Sequence, residues 1–334
     1  MHARPTPARL GPAVPLALVL TFLLLLALSG CGAAQGSTSE SSGKPVLRVG
    51  VQKDGIRSVL TASGLLDDLP YEIEWSEFTS GPPLVEAAAA DQIDVAWVGS
   101  APPIFGAAAD AAFKVVATVE EEDQHSDSIL VPGGSDITTI ADLEGHSIAV
   151  GKGTSAHGLL LNALTSAGLG IDDVEVSYLA PPDGQAAFQS GEVDAWAVWD
   201  PYTTATIAQT GAVDLTELTG TVGDDPHLSF VIASQGALDD DGRRGAVAAY
   251  LSVLSGAYAW ANEHQDEWAS GWAQESGLPA EVTAAVVEQK VPTLLPVDQE
   301  HVDSEQQLAD AFTDAGEIPT AVEFADVVEQ GLVE

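Results

Sequence analysis

Cationic residues are scarce: 11 lysines and arginines stand against 50 aspartates and glutamates in 334 residues, a formal net charge of −39. A surface this negative repels nucleic-acid phosphates, which excludes nucleic acid as a partner. It fits solubility in a salty or crowded setting and says nothing about fold. Cysteine occurs once, at position 31. There is accordingly no disulfide, and no thiol nucleophile beyond that position. The histidines, His2, His125, His146, His157, His227, His264 and His301, form no metal-ligand spacing such as His-Glu-x-x-His, so neither a metal nor another cofactor is expected. Long apolar runs are nearly absent. The exception, Leu16 to Leu28, is too short for a comfortable membrane span. Aromatics make up only 6%, yet the apolar total of 46% is a globular composition, not a disordered one. The length suffices for two compact lobes, each with its own core.

Arg4 and Arg9 precede the apolar run and small residues follow it, which makes 1–30 an export signal. Leu28-Ser29-Gly30-Cys31 resembles the bacterial lipobox, after which the cysteine becomes the lipidated N-terminus. Lipidation explains a lone thiol in an exported protein. More than one acyl chain on that residue gives the stable anchoring that one chain does not. Removing 1–30 takes two arginines and no acid, leaving 9 basic against 50 acidic residues, or −41. Residues 31–44 are small and polar and read as a flexible tether. No second membrane segment is apparent, so the expected location is the outer face of the cell membrane.

From Lys44 onward, short β-rich runs alternate with helical ones. Val46–Val51, Tyr71–Phe78, Ile93–Val98, Phe113–Val119 and Ile129–Val131 read as strands, with helices over Ile56–Leu65 and Leu84–Ala90. After Pro132-Gly133-Gly134-Ser135 the grammar restarts: strand Ser147–Val150, helix Ala156–Ala167, strand Val174–Leu179, helix Gln185–Gln189, strand Ala195–Trp199. The alternation predicts an α/β fold with a largely parallel sheet. The region from Gly236 reads as mostly helical. The two halves echo each other, since Asp94 and Asp194 each open a tryptophan-bearing strand that ends in a turn. Two similar lobes with a ligand between them are the natural use of that plan.

Four predicted strands run straight into a helix-starting signature: Phe78-Thr79-Ser80-Gly81-Pro82, Val98-Gly99-Ser100-Ala101-Pro102, Val150-Gly151-Lys152-Gly153-Thr154-Ser155 and Trp199-Asp200-Pro201. Each puts a short polar residue where an N-cap belongs. In a parallel sheet such junctions share the carboxyl edge, where open α/β sheets bind ligands. Helix N-termini there bind anions through unpaired N–H groups and the positive dipole end. Ser80, Ser100, Thr154 and Ser155 add hydroxyls, and Lys53 and Lys152 are expected to flank the same cleft. Trp97, Trp199, Phe78 and Phe230 are candidates for its apolar lining. The Gly151–Thr154 turn lacks the frame of a nucleotide-binding phosphate loop. Ser155 and His157 diverge at helical spacing and form no catalytic pair. No enzymatic activity is expected.

These junctions, with Gln52-Lys53, Gly99-Ser100-Ala101-Pro102-Pro103-Ile104-Phe105, Gly151-Lys152-Gly153-Thr154-Ser155-Ala156-His157 and Ala195-Trp196-Ala197-Val198-Trp199-Asp200-Pro201-Tyr202, resemble the aliphatic sulfonate-binding proteins of ABC importers, in order and with similar spacing from Val46 to Ser234. The resemblance implies a bilobed type II periplasmic-binding-protein fold: two mixed sheets flanked by helices, a hinge of two crossing strands and a helical C-terminal region. It implies lobe 1 over 45–131, lobe 2 over 132–227, and a return to lobe 1 over 228–334. It further implies a monomer that captures a sulfonate and presents it to a permease and ATPase. Taurine, nitrate and a thiamine-pyrimidine precursor are alternatives that the same fold serves. Carried over by position, the ligand-binding candidates are Gln52, Ser80, Gly81, Gly99, Ser100, Thr154, Ser155, His157, Trp199 and Asp200. Asp200 repels a sulfonate, and its carboxylate suits either a helix cap or an ammonium group on the ligand.

Overall fold

The computed structural model describes residues 44–67, 69–121, 127–216 and 227–333. The export signal, Cys31 and the tether up to residue 43 lie outside the described residues. Among the described residues, no helix is long and apolar enough to cross a membrane.

The chain opens with β1 (Val46–Val51), α1 (Ile56–Ala62), β2 (Glu72–Glu77), α2 (Gly81–Ala89), β3 (Val95–Gly99), α3 (Ala101–Ala108) and β4 (Phe113–Glu121). Next come β5 (Asp127–Val131), β6 (Ser147–Val150), α4 (Ser155–Ser166), β7 (Glu175–Tyr178), α5 (Pro181–Ser190), β8 (Ala195–Trp199), α6 (Tyr202–Thr210) and β9 (Val213–Asp214). The last stretch holds β10 (His227–Ser234), α7 (Gln235–Asp239), α8 (Asp241–Glu263), α9 (Gln265–Ser276), α10 (Ala280–Gln289), β11 (Pro292–Leu295) and α11 (Gln299–Asp314). The eight strands expected from the sequence, β1 to β8, form within about two residues of their expected spans, whereas β9, β10 and β11 were not expected. Helices α2 and α5 begin earlier than expected, because proline is compatible with a first helical turn.

Two sheets form, in the orders β11-β4-β10-β3-β1-β2 and β7-β6-β8-β5-β9. Both are mixed. In the first, β1 runs parallel to β2 and β3, while β10 runs antiparallel between β3 and β4. In the second, β6 is parallel to β7 and β8, and β5 is antiparallel to β8. Strand β5 belongs to the second sheet, so Ile129–Val131 pairs there and not with 45–121. The chain crosses between sheets through 122–126 and 217–226, and the expected hinge falls on these segments, outside the described residues.

The sequence echo corresponds to a repeated β-α-β-α-β unit whose first strand sits between the other two. Asp94 binds the start of β1 twice: its amide donates to the Arg48 carbonyl and its carboxylate accepts from the Arg48 amide, both at 2.7 Å. Asp194 does the same to Ser147 at the start of β6, at 2.9 Å in both directions. Central strands are apolar on both faces, as β8 shows with Ala195, Trp196, Ala197 and Val198 all buried, because helices cover both sides of each sheet. At Gly50 a methyl would sit 2.4 Å from Leu84, so α2 lies close on β1 only because that position has no side chain.

Candidate functional site

Strand ends and helix starts from both sheets meet around a cavity of about 470 Å³. The first sheet contributes Gln52 and Asp54 after β1, Gly81 at the start of α2, Gly99 and Ser100 between β3 and α3, and Glu121 at the end of β4. Ser229, at the entry of β10, and Lys290, just before β11, reach the same edge because both strands run antiparallel: Ser229 pairs Gly99 and Pro292 pairs Glu121. The second sheet contributes Asp127, Thr154, Ser155, Trp199 and Asp200, with Asp127 paired to Trp199 across β5 and β8.

Of the residues expected to bind ligand, Gln52, Gly81, Gly99, Ser100, Thr154, Ser155, Trp199 and Asp200 line this cavity. Ser80 is buried at the N-cap position just before Gly81 and is not in the cavity wall. His157 is also elsewhere. Its ring is fully buried against Phe105, Phe312 and Tyr178, and its Nδ1 accepts the Gly153 amide at 3.2 Å. Two helical positions beyond Ser155, its side chain leaves from the far side of α4. Burial lowers the His157 pKa to about 4, with Glu317 opposing that fall and Lys152 adding to it. Lys152 is likewise spent away from the cavity, 3.0 Å from Glu317 and over the Tyr178 ring. Trp97 lines the cavity, whereas Phe230 is fully buried in the core and packs on Phe324.

The helix starts differ from ordinary capped ends. Ser80, Ser100 and Thr154 occupy the N-cap positions of α2, α3 and α4, and none makes a side-chain cap hydrogen bond. The Thr154 hydroxyl donates instead to the Gly151 carbonyl at 2.7 Å. Three positive helix ends therefore face the cavity region; Pro82, Pro83, Pro102 and Pro103 leave Gly81 and Ala101 as the only N–H groups among the first three residues of α2 and α3, whereas α4 keeps all three. Helix α6 is different, since the Asp200 carboxylate accepts the Thr204 amide at 2.9 Å. Two of the ends nearly touch: a methyl at Gly99 would lie 2.9 Å from the Ser155 Oγ and 3.0 Å from its Cβ.

The charged groups in the wall were largely missed from sequence. Lys290 places its Nζ 3.0 Å from both oxygens of Glu121, and the two side chains are 12% and 8% exposed. Burial opposes the Lys290 charge, but Glu121, Asp200 and Asp54 outweigh it and raise its pKa. Burial pushes Asp54 up to about 6, against the Ile56 amide and Lys290. It pushes Asp127 up to about 7, opposed by the Ser155 hydroxyl, which donates at 3.0 Å, and by Lys290. Asp54 sits at the same strand end as Gln52 and was open to detection. Lys290 sits in the helical tail, with no local signal that β11 would carry it here. Among the described residues, no cluster of His, Cys, Asp and Glu is arranged to hold a metal ion.

The family model described as NMT1-like matches residues 59–274, more than half of the chain. The chain belongs to the NMT1-like family. It is 36% identical to an aliphatic sulfonates-binding protein of Escherichia coli (strain K12), over 92% of this chain and 96% of that one. Among solved structures, the alkanesulfonate-binding protein SsuA from Xanthomonas axonopodis pv. citri bound to MOPS matches with a TM-score of 0.78 at 31% identity, covering 87% of this chain and all of that one. The periplasmic aliphatic sulphonate binding protein SsuA from Escherichia coli matches at 0.73 and 36%, covering 85% and 92%. The two-sheet architecture is thus the periplasmic-binding-protein fold of this family, and these relatives are binding proteins, as the sequence led us to expect.

Proposed function

We propose that the chain is the substrate-binding component of an ABC importer and captures aliphatic sulfonates. One observation carries the reading: helix N-termini from both sheets, with the N–H groups of Gly81, Ala101 and the first turn of α4, border a single cavity of about 470 Å³. Such ends bind tetrahedral oxyanions through amides and dipole without a formal cation. That suits a molecule whose field repels free anions everywhere else. The near-full-length similarity to aliphatic sulfonates-binding proteins supports the same ligand class.

In this reading the two lobes close around the ligand, which shifts the population toward the closed form. The closed monomer then presents a joined surface to the permease. Cys31 carries the lipid that holds the protein at the outer face of the membrane. Gln52, Gly81, Gly99, Ser100, Thr154, Ser155 and Trp199 form the binding wall, while Asp200 caps α6.

A thermal-shift screen tests the ligand class. Alkanesulfonates are expected to raise the melting temperature, by an amount that grows with the logarithm of ligand concentration above the dissociation constant, and nitrate and a thiamine-pyrimidine precursor to leave it unchanged. A shift from either of those, with none from any sulfonate, overturns the assignment.

A further inference from the structure

Among the described residues, five carboxylates line the cavity against one amine, Lys290, which lies 3.0 Å from both oxygens of Glu121. Its charge is largely answered within the wall, so an incoming anion meets a negative surround. One carboxylate is tied to a helix end itself. Asp127 is 7% exposed, and its Oδ1 accepts the Ser155 hydroxyl at 3.0 Å. Ser155 is the first residue of α4, the helix whose first three residues all keep their N–H groups. A methyl on Gly99 would lie 2.9 Å from the Ser155 Oγ, so the end of β3 shares the same corner. An oxyanion received by the first turn of α4 therefore sits one side chain away from the Asp127 carboxyl. If that carboxyl were ionised, two negative charges would stand close together with little water to screen them. In its neutral form the repulsion is gone, and its O–H gives the anion a further donor.

We propose that the cavity takes up its anion together with one proton, carried by the Asp127 carboxyl, so that capture weakens as the medium becomes more alkaline. This rests on the sulfonate reading above and adds a regulation to it. The proton comes from solvent, and no bond in the ligand changes. The surroundings of Asp127 suit the role. Burial above all, then Glu121 at the end of β4 and Asp200 beyond β8, raises its pKa to about 7, against the Ser155 hydroxyl and Lys290. A neighbouring anion pushes in the same direction and completes the protonation. The other wall carboxylates are Asp54 and Glu305. Asp54 titrates lower, at about 6, and Lys290, with its pKa raised, stays charged. Linkage fixes the sign. Above about pH 7 the free chain has lost the Asp127 proton, each bound anion draws it back, and affinity falls as pH rises.

Isothermal titration calorimetry of the full chain with ethanesulfonate, at constant ionic strength over about pH 7 to 9, tests this. Ethanesulfonate has no proton to exchange in that range. Tris and imidazole serve as buffers, because they differ in ionisation enthalpy and neither is a sulfonate. We expect the dissociation constant to rise toward about tenfold per pH unit, and the buffer comparison to show up to about one proton taken up per anion bound. Asp127→Asn keeps an acceptor for Ser155 and cannot ionise. Its dissociation constant should change by less than about twofold over the same range, with no proton uptake. The wild-type titrations decide the matter even where the variant does not fold. A constant affinity with no proton exchange in the wild-type chain overturns the coupling and leaves the sulfonate reading standing. So does a pH dependence that Asp127→Asn retains in full. Binding of no sulfonate at any pH removes that reading, and the coupling with it.

Discussion

Asp127 shows how one carboxylate joins the binding wall to the stability of the fold. It is buried, its Oδ1 accepts the Ser155 hydroxyl, and burial drives its pKa from 3.8 up to about 7. A carboxyl that holds its proton more tightly when folded favours the folded state below its ordinary value. That contribution is lost as pH rises through the folded value. Stability is therefore expected to decline between about pH 4 and pH 7 through Asp127, with Asp54 acting in the same direction up to about 6. Asp127→Asn keeps an acceptor for Ser155 and has no proton to lose. Urea unfolding across that range should show a flatter profile for the variant, by on the order of a few kcal/mol over the window. Matching slopes would mean that Asp127 is not held protonated. Lys290 makes a separate prediction. Replacing it with alanine leaves the Glu121 charge buried without its partner, and this should cost about 3–5 kcal/mol in the same assay. These two residues also mark where sequence reading stopped. Nothing near position 290 in the chain says that β11 will pair β4 at Glu121. The error at His157 has a geometric cause: the motif was read linearly, and the helix turned its imidazole out of the site.

The junctions between strands and helices carried most of what was readable. Alternating apolar runs predicted β1, β6 and β8 to the residue. Small polar residues followed by proline marked α2 and α3, and eight of the ten expected binding positions border one cavity. Strand direction was not readable. The expectation of a largely parallel sheet failed at β5, β10 and β11, because a buried apolar strand looks the same whichever way it runs. Nor did the short polar residues before α2, α3 and α4 act as caps: Pro82, Pro83, Pro102 and Pro103 have no N–H for Ser80 or Ser100 to accept, and the Thr154 hydroxyl turns to the Gly151 carbonyl. The close approach of α3 and α4 gives a direct test. In Gly99→Ala the new methyl would meet the Oγ and Cβ of Ser155, which leaves little room for rearrangement. Overpacking of this kind costs about 1–3 kcal/mol. The variant should bind sulfonate roughly tenfold or more weakly in titration calorimetry, and its unfolding free energy should fall by about that 1–3 kcal/mol. Undiminished affinity would show that the two helix ends need not approach each other for binding.

The whole chain combines an extreme charge, −39 at pH 7, with a proposed tether to the membrane. If Cys31 bears the lipid, the protein should fractionate with membranes, and Cys31→Ala should release it to the soluble exported fraction. An unaltered membrane-bound fraction in that variant would disprove lipid attachment at this position. The internal echo was legible because two hydrogen-bonding clamps, at Asp94 and Asp194, are repeated along with their surroundings. The order in which the sheets close was not legible at all. Glu121 and His227 are direct partners across β4 and β10, so the second sheet is an insertion between two strands that would otherwise form a hairpin. Its strands all fall within 127–214 and are complete before β10 has been made. The nascent chain can thus finish the inserted sheet while its host still waits for two antiparallel strands, the later of which ends at Leu295. Synthesis order and spatial order are reversed in this molecule: what begins first closes last.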